Sequence, residues 1–228
     1  MSYFATLFEK YDRLVLFDTE TTGLDSARDE IIEFAAVVVS PSPTGPVITE
    51  EYDQLIALTP GNRVPAQIEQ LTGITNADLA QKGIPKAQLA ADLQRMLSGN
   101  VLLLAYNAHF DLCFLYYFLL RHSDPTVLRG KDKLDLLTVY KDRHSYPHKL
   151  CNAIEVYGLQ DQVVNSHRAV DDVIATVAVM KAMEEELADL PNYVNLFGFN
   201  PKYGPPRRPI GSVTYKPQKF DPPQPLYL

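Results

Sequence analysis

Two acidic residues, Asp18 and Glu20, follow the first apolar run of the chain, in the stretch LFDTETTG that begins at Leu16. Residues i and i+2 of a strand project from the same face, so both carboxylates can point to one place where that strand ends. A converging pair of this kind can bind a cation or exchange a proton. A solvated strand end fits the same pattern, and other residues must decide between the two interpretations.

A third acid opens a helix that otherwise looks like core. Asp111 belongs to the stretch NAHFD, which begins at Asn107, and it shares a face with Phe114, Leu115 and Phe118 by the three-and-four spacing of a helix. An acid in the first turn can also be there only because the helix dipole favours it.

The stretch HRAVDD carries a histidine and two acids, His167, Asp171 and Asp172. Five positions along a helix correspond to about 140° of rotation, so His167 and Asp172 cannot share a helical face. We therefore expect His167 in the preceding loop, over the site, and Asp172 on the helix, although a histidine before a helix often has no function. Ionised carboxylates gathered in a poorly solvated place repel one another, and divalent cations relieve that repulsion.

Apolar runs and turn residues predict the elements that must position these acids. We expect strands over residues 13–17, 31–39 (apolar apart from Glu33), 47–58 and 101–105, and a last strand over 134–139 that soon turns helical. Helices are expected over 65–71, 76–80, 85–97, 108–121 with Asn107 as its cap, 149–157 and 169–190. An antiparallel meander followed by alternating strands and helices predicts an α/β fold, a mixed sheet flanked by helices.

The composition is that of a globular protein with an acidic excess. The chain has 228 residues, 46% apolar and 21% charged, and a formal net charge of −7, which argues against non-specific binding of polyanions. No apolar run is long enough for a bilayer and the N-terminus lacks a signal-peptide pattern, so we expect a cytoplasmic protein without membrane contact. Cys113 and Cys151 are expected to be packed thiols, and His122, His144 and His148 to be surface residues.

The texture of the chain changes after Pro191. We expect a domain over residues 1–190 and an irregular, Pro-rich extension over 191–228, not a second domain. The extension is rich in aromatic residues and carries more basic than acidic residues. Its single acid is Asp221, and its five basic residues are Lys202, Arg207, Arg208, Lys216 and Lys219. It can wrap the acidic body, which is the interpretation we favour, guide a single strand by charge and stacking, or dock on a protein partner.

FDTETTG, NAHFD and HRAVDD, in this order, resemble the three motifs of the DEDDh group of 3′-5′ exonucleases. This superfamily includes the proofreading epsilon subunit of bacterial DNA polymerase III and ribonuclease T, and the similarity covers roughly residues 13–185. It implies a ribonuclease H-like fold. It also implies metal ligands at Asp18, Glu20, Asp111 and Asp172 and a general base at His167.

The resemblance extends to cofactor and substrate. Two Mg²⁺ or Mn²⁺ ions about 4 Å apart would serve an in-line displacement that releases nucleoside 5′-monophosphates. The motif spacing selects Asp172 as the ligand and leaves Asp171 solvated. The residues that would receive the terminal nucleotide are Thr21, Thr22, Gly23, Leu24, Asn107 and Phe110, although ordinary packing also explains Leu24 and Phe110.

The substrate expected from these motifs is the 3′ end of a single strand, DNA or RNA. We favour a 3′-5′ exonuclease on single-stranded DNA, and the alternatives are an exoribonuclease and a nucleic-acid-binding module without activity. No polymerase segment is visible in the sequence, so a role with a DNA polymerase or another repair protein would be in trans. The motifs leave proofreading, repair and RNA processing equally open.

Overall fold

The computed structural model describes residues 3–219 and 224–228. Its centre is a five-stranded mixed sheet in the order β3-β2-β1-β4-β5. β1 pairs antiparallel with β2, and β2 antiparallel with β3, whereas β4 and β5 run parallel to β1. The strands are β1 (Arg13–Thr21), β2 (Ile31–Ser40), β3 (Val47–Leu55), β4 (Val101–Ala105) and β5 (Asp132–Asp135). The predicted mixed sheet with an antiparallel meander is confirmed.

Eight helices lie among the described residues and cover the sheet on both faces. They are α1 (Ala5–Phe8), α2 (Ala66–Thr72), α3 (Asn76–Lys82), α4 (Lys86–Met96), α5 (Ala108–His122), α6 (Leu136–Arg143), α7 (Leu150–Val156) and α8 (Ala169–Glu186). Within residues 3–219 and 224–228, no helix combines the length and the apolar character needed to cross a bilayer.

Strand alternation divides the core into two layers. Leu14 and Leu16 of β1 pack in the cluster that contains α8, and Val15 and Phe17 pack in the cluster that contains α4 and α5. Successive residues of a strand point to opposite faces, so one apolar run fills both layers. The sheet is therefore covered on both sides, and polar side chains gather where its central strands end.

The described part of the extension packs against the body and is not irregular throughout. A 3₁₀ turn (Leu190–Tyr193) leads to β6 (Leu196–Phe199), which pairs in parallel with β7 (Thr214–Pro217). Phe197 is buried in the α4–α5 layer, while Leu226 and Tyr227 pack on the opposite layer. Contacts with the body stabilise strands that are too short to be recognised from their sequence.

Four local expectations were wrong in whole or in part. The predicted change from strand to helix within 134–139 is present, but the strand is shorter than expected: β5 ends at Asp135 and α6 follows at once, because the Asp135 carboxylate accepts hydrogen bonds from the Thr138 amide and hydroxyl at 3.1 and 2.5 Å. The side chain of Asn107 makes no capping bond. Cys151 is exposed, and His148 is buried instead of at the surface.

Candidate active site

Asp18 and Glu20 lie on the same side of β1, where the strand ends. Both are partly exposed, and they alternate with the buried Phe17, Thr19 and Thr21. This alternation is what the spacing of the two acids predicts.

Asp111 approaches this strand end from α5 and is held there by Thr19. The Asp111 side chain is 2% exposed, and its Oδ1 accepts hydrogen bonds from the Thr19 amide at 3.0 Å and the Thr19 hydroxyl at 2.7 Å. Burial raises the pKa of Asp111 to about 7, and the two bonds from Thr19 oppose that rise. Both bonds go to Oδ1, so Oδ2 is the oxygen that can face a ligand.

His167 lies in the loop before α8, as predicted. It is exposed and has a φ of 58°, in the left-handed region that a non-glycine residue rarely adopts. A ring nitrogen of His167 and carboxylate oxygens of Glu20 and Asp172 all lie within 4.8 Å of one another. The Asn165 amide donates to Asp172 Oδ1 at 2.6 Å and orients that carboxylate.

The four acids share one electrostatic environment. Desolvation raises the pKa of Glu20 to about 8, and the charges of Asp172, Glu33 and Asp111 add to the rise. The pKa of Asp18 is raised by burial and then by the charges of Asp111, Glu20 and Asp172. The pKa of Asp172 is raised by burial, against the bond from Asn165. Gathered carboxylates that resist ionisation, with oxygen as the donor atom, suit a hard divalent cation such as Mg²⁺ or Mn²⁺.

Glu33 of β2 fastens the histidine loop to the sheet. This side chain is fully buried, lies opposite Glu20 in the strand register, and binds the Arg168 guanidinium through Nε at 2.9 Å and through Nη2. Its second oxygen accepts from the Ala169 amide at 2.7 Å, the first residue of α8. These bonds therefore fix the two residues that directly follow His167.

The turn after β1 presents Leu24 to solvent. The Asp29 carboxylate accepts from the Asp25 amide at 2.8 Å, and a Cβ at Gly23 would come within 2.5 Å of the same carboxylate. A larger residue at position 23 would therefore displace the Asp29 carboxylate from the turn. Leu24 is 86% exposed at the tip of the turn, a conspicuous position for an apolar side chain.

The hydroxyls of the two threonines before this glycine are engaged within the turn. Thr21 donates to the Gly23 carbonyl at 2.6 Å, and the Thr22 hydroxyl accepts from the Glu30 amide at 3.0 Å. Their side chains therefore stabilise the turn. Because both hydroxyls are already bonded, the backbone of the turn is the part that can contact a ligand.

The first turn of α5 holds the other two residues expected near substrate. Asn107 is exposed in the left-handed region at φ 73°, and Phe110 is half-buried against Phe114 with ring centroids 4.9 Å apart. Asp135 of β5, not Asn107, caps this helix by accepting from the Ala108 amide at 2.9 Å. Asn107 and Phe110 thus lie at the start of the helix that carries Asp111.

Sequence reasoning missed four supporting residues: Thr19, Glu33, Asn165 and Asp135. Glu33 had a signal, since it is the single acid in an apolar strand. Thr19 lies between two predicted ligands but on the other face of β1. Asn165 lies seven positions before Asp172, outside the three motifs, and Asp135 bonds to the Ala108 amide 27 positions away, a contact for which a single sequence has no signal.

Comparison with known proteins assigns the family. The profile of the family described as "Exonuclease" (RNase_T) matches residues 15–180. The chain is 30% identical over 179 residues to the DNA polymerase III subunit epsilon of Aquifex aeolicus, covering 76% of this chain and 81% of that protein. The chain therefore belongs to the exonuclease family of DnaQ-like 3′-5′ exonucleases.

Other relatives are much longer. The 3′-5′ exonuclease DinG of Bacillus subtilis is 34% identical over 184 residues, which is 78% of this chain and 18% of DinG. The PolC-type DNA polymerase III of the same organism is 31% identical over 185 residues, 12% of its length. The chain thus spans less than a fifth of either protein.

Solved structures support the fold. Crystal structures of E. coli Exonuclease I, one with a dT13 oligonucleotide and one with zinc and single-stranded DNA, superpose with a TM-score of 0.70. They are 23% and 24% identical, and the match covers 80% of this chain and 43% and 42% of theirs. The sheet and its flanking helices thus form the ribonuclease H-like fold that the motifs imply.

Proposed function

We propose that this chain is a divalent-metal-dependent exonuclease that removes nucleoside 5′-monophosphates from the 3′ end of single-stranded DNA. The observation that carries the proposal is the convergence of Glu20, His167 and Asp172, whose ligand atoms lie within 4.8 Å of one another at the end of β1. Asp18 and Asp111 act on the same cluster through their charges. Family membership and the dT13 oligonucleotide bound to E. coli Exonuclease I support the choice of reaction and substrate.

The chain's own residues supply ligands, a base and a floor for the terminal nucleotide. Asp18, Glu20, Asp111 and Asp172 would hold two divalent metal ions. When bound, these ions supply the positive charge that lowers the pKa of an attacking water and stabilises the leaving 3′-oxygen. His167 accepts the proton of the water whose oxygen attacks phosphorus.

The bond between phosphorus and the 3′-oxygen of the preceding nucleotide then breaks. The leaving 3′-oxygen takes up a proton from solvent, so the products are a nucleoside 5′-monophosphate and a strand shortened by one nucleotide with a free 3′-hydroxyl. Leu24 and Phe110 are the apolar surfaces that contact the terminal nucleotide, and the backbone of residues 21–23 lines the same site. The salt bridge between Glu33 and Arg168 keeps His167 in place during the reaction.

The first experiment uses a 5′-labelled single strand with Mg²⁺, with Mn²⁺ and with chelator. We expect a ladder that shortens from the 3′ end only when metal is present. Matched RNA and paired strands in parallel reactions measure the preference for single-stranded DNA. A ladder on RNA alone would assign the exoribonuclease, and no ladder with any divalent cation would contradict the proposal.

Two neighbouring acids provide a matched pair of variants. Asp172→Asn should lower activity by more than about 100-fold, since groups that only support metal ligands already contribute about 10- to 100-fold. Asp171→Asn, one residue away, should stay close to wild type, because Asp171 is half-exposed and bonds only to the Ser166 hydroxyl among the described residues. His167→Ala should lower kcat by about 100- to 10,000-fold. Equal losses at Asp171 and Asp172 would refute the assignment of the ligand.

A further inference from the structure

Two hollows lie side by side along α5, between this helix and the C-terminal extension. The inner hollow has a volume of about 400 Å³ and is lined by Leu24, His109, Phe110, Cys113, Arg207 and Arg208, among others. The outer hollow has a volume of about 490 Å³, and its lining includes Tyr116, Tyr117, Arg129, Lys133, Arg208 and Ser212. Cys113 and Arg208 line both, so the hollows form one groove, which we call the α5 groove.

The inner end of the α5 groove lies beside the proposed position of the terminal nucleotide. Its inner hollow is lined by Leu24 and Phe110, the two residues proposed to contact the terminal nucleotide, and Phe110 directly precedes Asp111. From His109 to Tyr117 the helix rises about 12 Å, which is the length of about three to four stacked nucleotides. A strand whose last nucleotide lies at the active site can therefore continue along the groove.

The outer wall of the groove, residues 207–212, is anchored to the body. Arg208 donates to Asp25 Oδ1 at 2.7 Å, and the Lys133 ammonium donates to the Ser212 hydroxyl at 2.8 Å. The Tyr215 hydroxyl lies 2.7 Å from His109 Nδ1 and accepts from the Ile210 amide at 3.3 Å. The wall is thus a fixed part of the fold, tied to the first turn of α5.

The charge of the groove is opposite to that of the whole chain. Arg129 and the buried Lys133 line the outer hollow together with Arg208, whose charge is paired with Asp25, and no acid is present among the lining residues of this hollow. In the inner hollow Asp25 is paired with Arg208, while Arg207 is exposed and has no ion pair in the part of the chain that the structure describes. On a chain of net charge −7 this is a local site of attraction for phosphates.

Aromatic rings lie beside these cations. Tyr116 is 44% exposed and packs edge-on against Tyr117 with centroids 5.4 Å apart. The Arg208 guanidinium lies 5.3 Å from the centre of the Tyr117 ring. Basic groups combined with an exposed aromatic face are typical of surfaces that bind single-stranded nucleic acid.

We infer that the α5 groove binds the single-stranded DNA immediately upstream of the 3′-terminal nucleotide. Arg207 and Arg208 contact its phosphates, and Tyr116 stacks on a base. This inference rests on the proposed function and adds to it the path of the strand. It assigns the C-terminal extension a direct role in substrate binding, in addition to its packing on the body.

The binding test needs no catalysis. The full chain in chelator is titrated into a 5′-fluorescent oligothymidylate of about 12 nucleotides, within the range of known single-strand sites, and anisotropy gives Kd at several salt concentrations. We expect R207Q/R208Q to raise Kd about tenfold and to lower the slope of log K against log salt by about 1.4, which is about 0.7 for each lost phosphate contact. Tyr116→Ala should raise Kd by about fivefold or more.

The variants are chosen so that misfolding cannot produce the result. Arg208 anchors the wall through Asp25, whereas Arg207 makes no such contact, so Arg207→Gln alone should still lower the slope by about 0.7. Lys202→Gln removes the same charge from the same extension but lies outside both hollows, and it should bind like wild type. Kd values of Arg207→Gln and Tyr116→Ala within about twofold of Lys202→Gln would overturn the inference.

Kinetics separate failure of this inference from failure of the proposed function. The p-nitrophenyl ester of thymidine 5′-monophosphate occupies only the terminal site, so its hydrolysis with Mn²⁺ tests the active site alone. We expect the ratio of kcat/KM for the oligonucleotide to kcat/KM for the ester to fall about tenfold in R207Q/R208Q. If R207Q/R208Q hydrolyses the ester and the ratio is unchanged, the groove does not bind the strand, and the proposed active site is still supported.

Two further ligands test the identity of the occupant. Oligoglutamate of equal charge should bind at least about tenfold more weakly than oligothymidylate, because it offers no bases to stack. Equal affinity would assign the groove to an acidic protein partner and overturn the inference. Oligouridylate that binds more tightly than oligothymidylate, with the same dependence on Arg207, would assign it to RNA.

Discussion

Replacing Glu20 by glutamine should stabilise the metal-free protein while it abolishes activity. Burial and the neighbouring charges raise the pKa of Glu20 from 4.5 to about 8. The folded state therefore holds a proton that the unfolded state releases, so stability falls as pH rises from about 4.5 to about 8. Because pH 7 lies about 2.5 units above the unfolded pKa, the ionisation of Glu20 in the unfolded state lowers the free energy of unfolding by about 3 kcal/mol at this pH. Glutamine keeps the shape of the side chain and removes that cost.

Thermal unfolding in chelator measures this effect. A chain of this size shifts by about 2 to 4 °C per kcal/mol, so Glu20→Gln should melt about 6 to 12 °C above wild type at pH 7. The difference should shrink toward zero near pH 4.5, where the unfolded carboxyl is half protonated. Mn²⁺ should reduce or reverse this difference. A ligand that binds only the folded state stabilises it, and wild type should bind Mn²⁺ more tightly than Glu20→Gln.

The control is Glu51→Gln, an exposed glutamate of strand β3, which should change the melting temperature little at either pH. A melting temperature of Glu20→Gln at or below that of wild type in chelator at pH 7 would rule out a destabilising effect of the Glu20 carboxyl. Stabilisation that persisted unchanged at pH 4.5 would rule out a titrating carboxyl as its cause.

Three other changes test parts of the site and of the extension. Thr19→Val removes the hydroxyl bond to Asp111 and should weaken Mn²⁺ binding, measured by calorimetry, by about 10- to 100-fold. Asp135→Ala removes the cap of two helices and should lower the free energy of unfolding in urea by about 2 to 4 kcal/mol. Gly198→Ala places a Cβ 2.0 Å from the Gln218 side chain, should destabilise by about 1 to 3 kcal/mol, and should speed proteolysis of the extension.

Each of these variants has a matched control. Thr49→Val changes an exposed threonine and should leave Mn²⁺ affinity unaltered, and an equal loss there would remove the role of Thr19. Asp124→Ala deletes an exposed cap of a 3₁₀ turn and should cost less than Asp135→Ala. Gly211→Ala meets nothing within 4 Å, so similar proteolysis of both glycine variants would rule out the clash as the cause.

The sheet and the order of its elements could be predicted because they depend on local patterns. The run from Arg13 to Phe17, the apolar stretch with Glu33, and the strand over 101–105 are long or continuous enough to identify strands. The helices that begin after Pro65, Thr75 and Pro85 could be predicted because proline and threonine are common at the N-terminal ends of helices. The end of β5 at Asp135 was not predicted, because this one aspartate both ends the strand and caps the following helix.

The sequence by itself determined the three motifs that indicate the family, and it predicts that Asp18, Glu20, Asp111, His167 and Asp172 carry the proposed chemistry. Only the tertiary structure decided how those residues are supported. The bonds from Thr19 to Asp111 and from Arg168 to Glu33 join residues 92 and 135 positions apart, and Asp25 meets Arg208 across 183. Such contacts exist only after the sheet has brought the strand ends together, and a single sequence has no periodicity that encodes them.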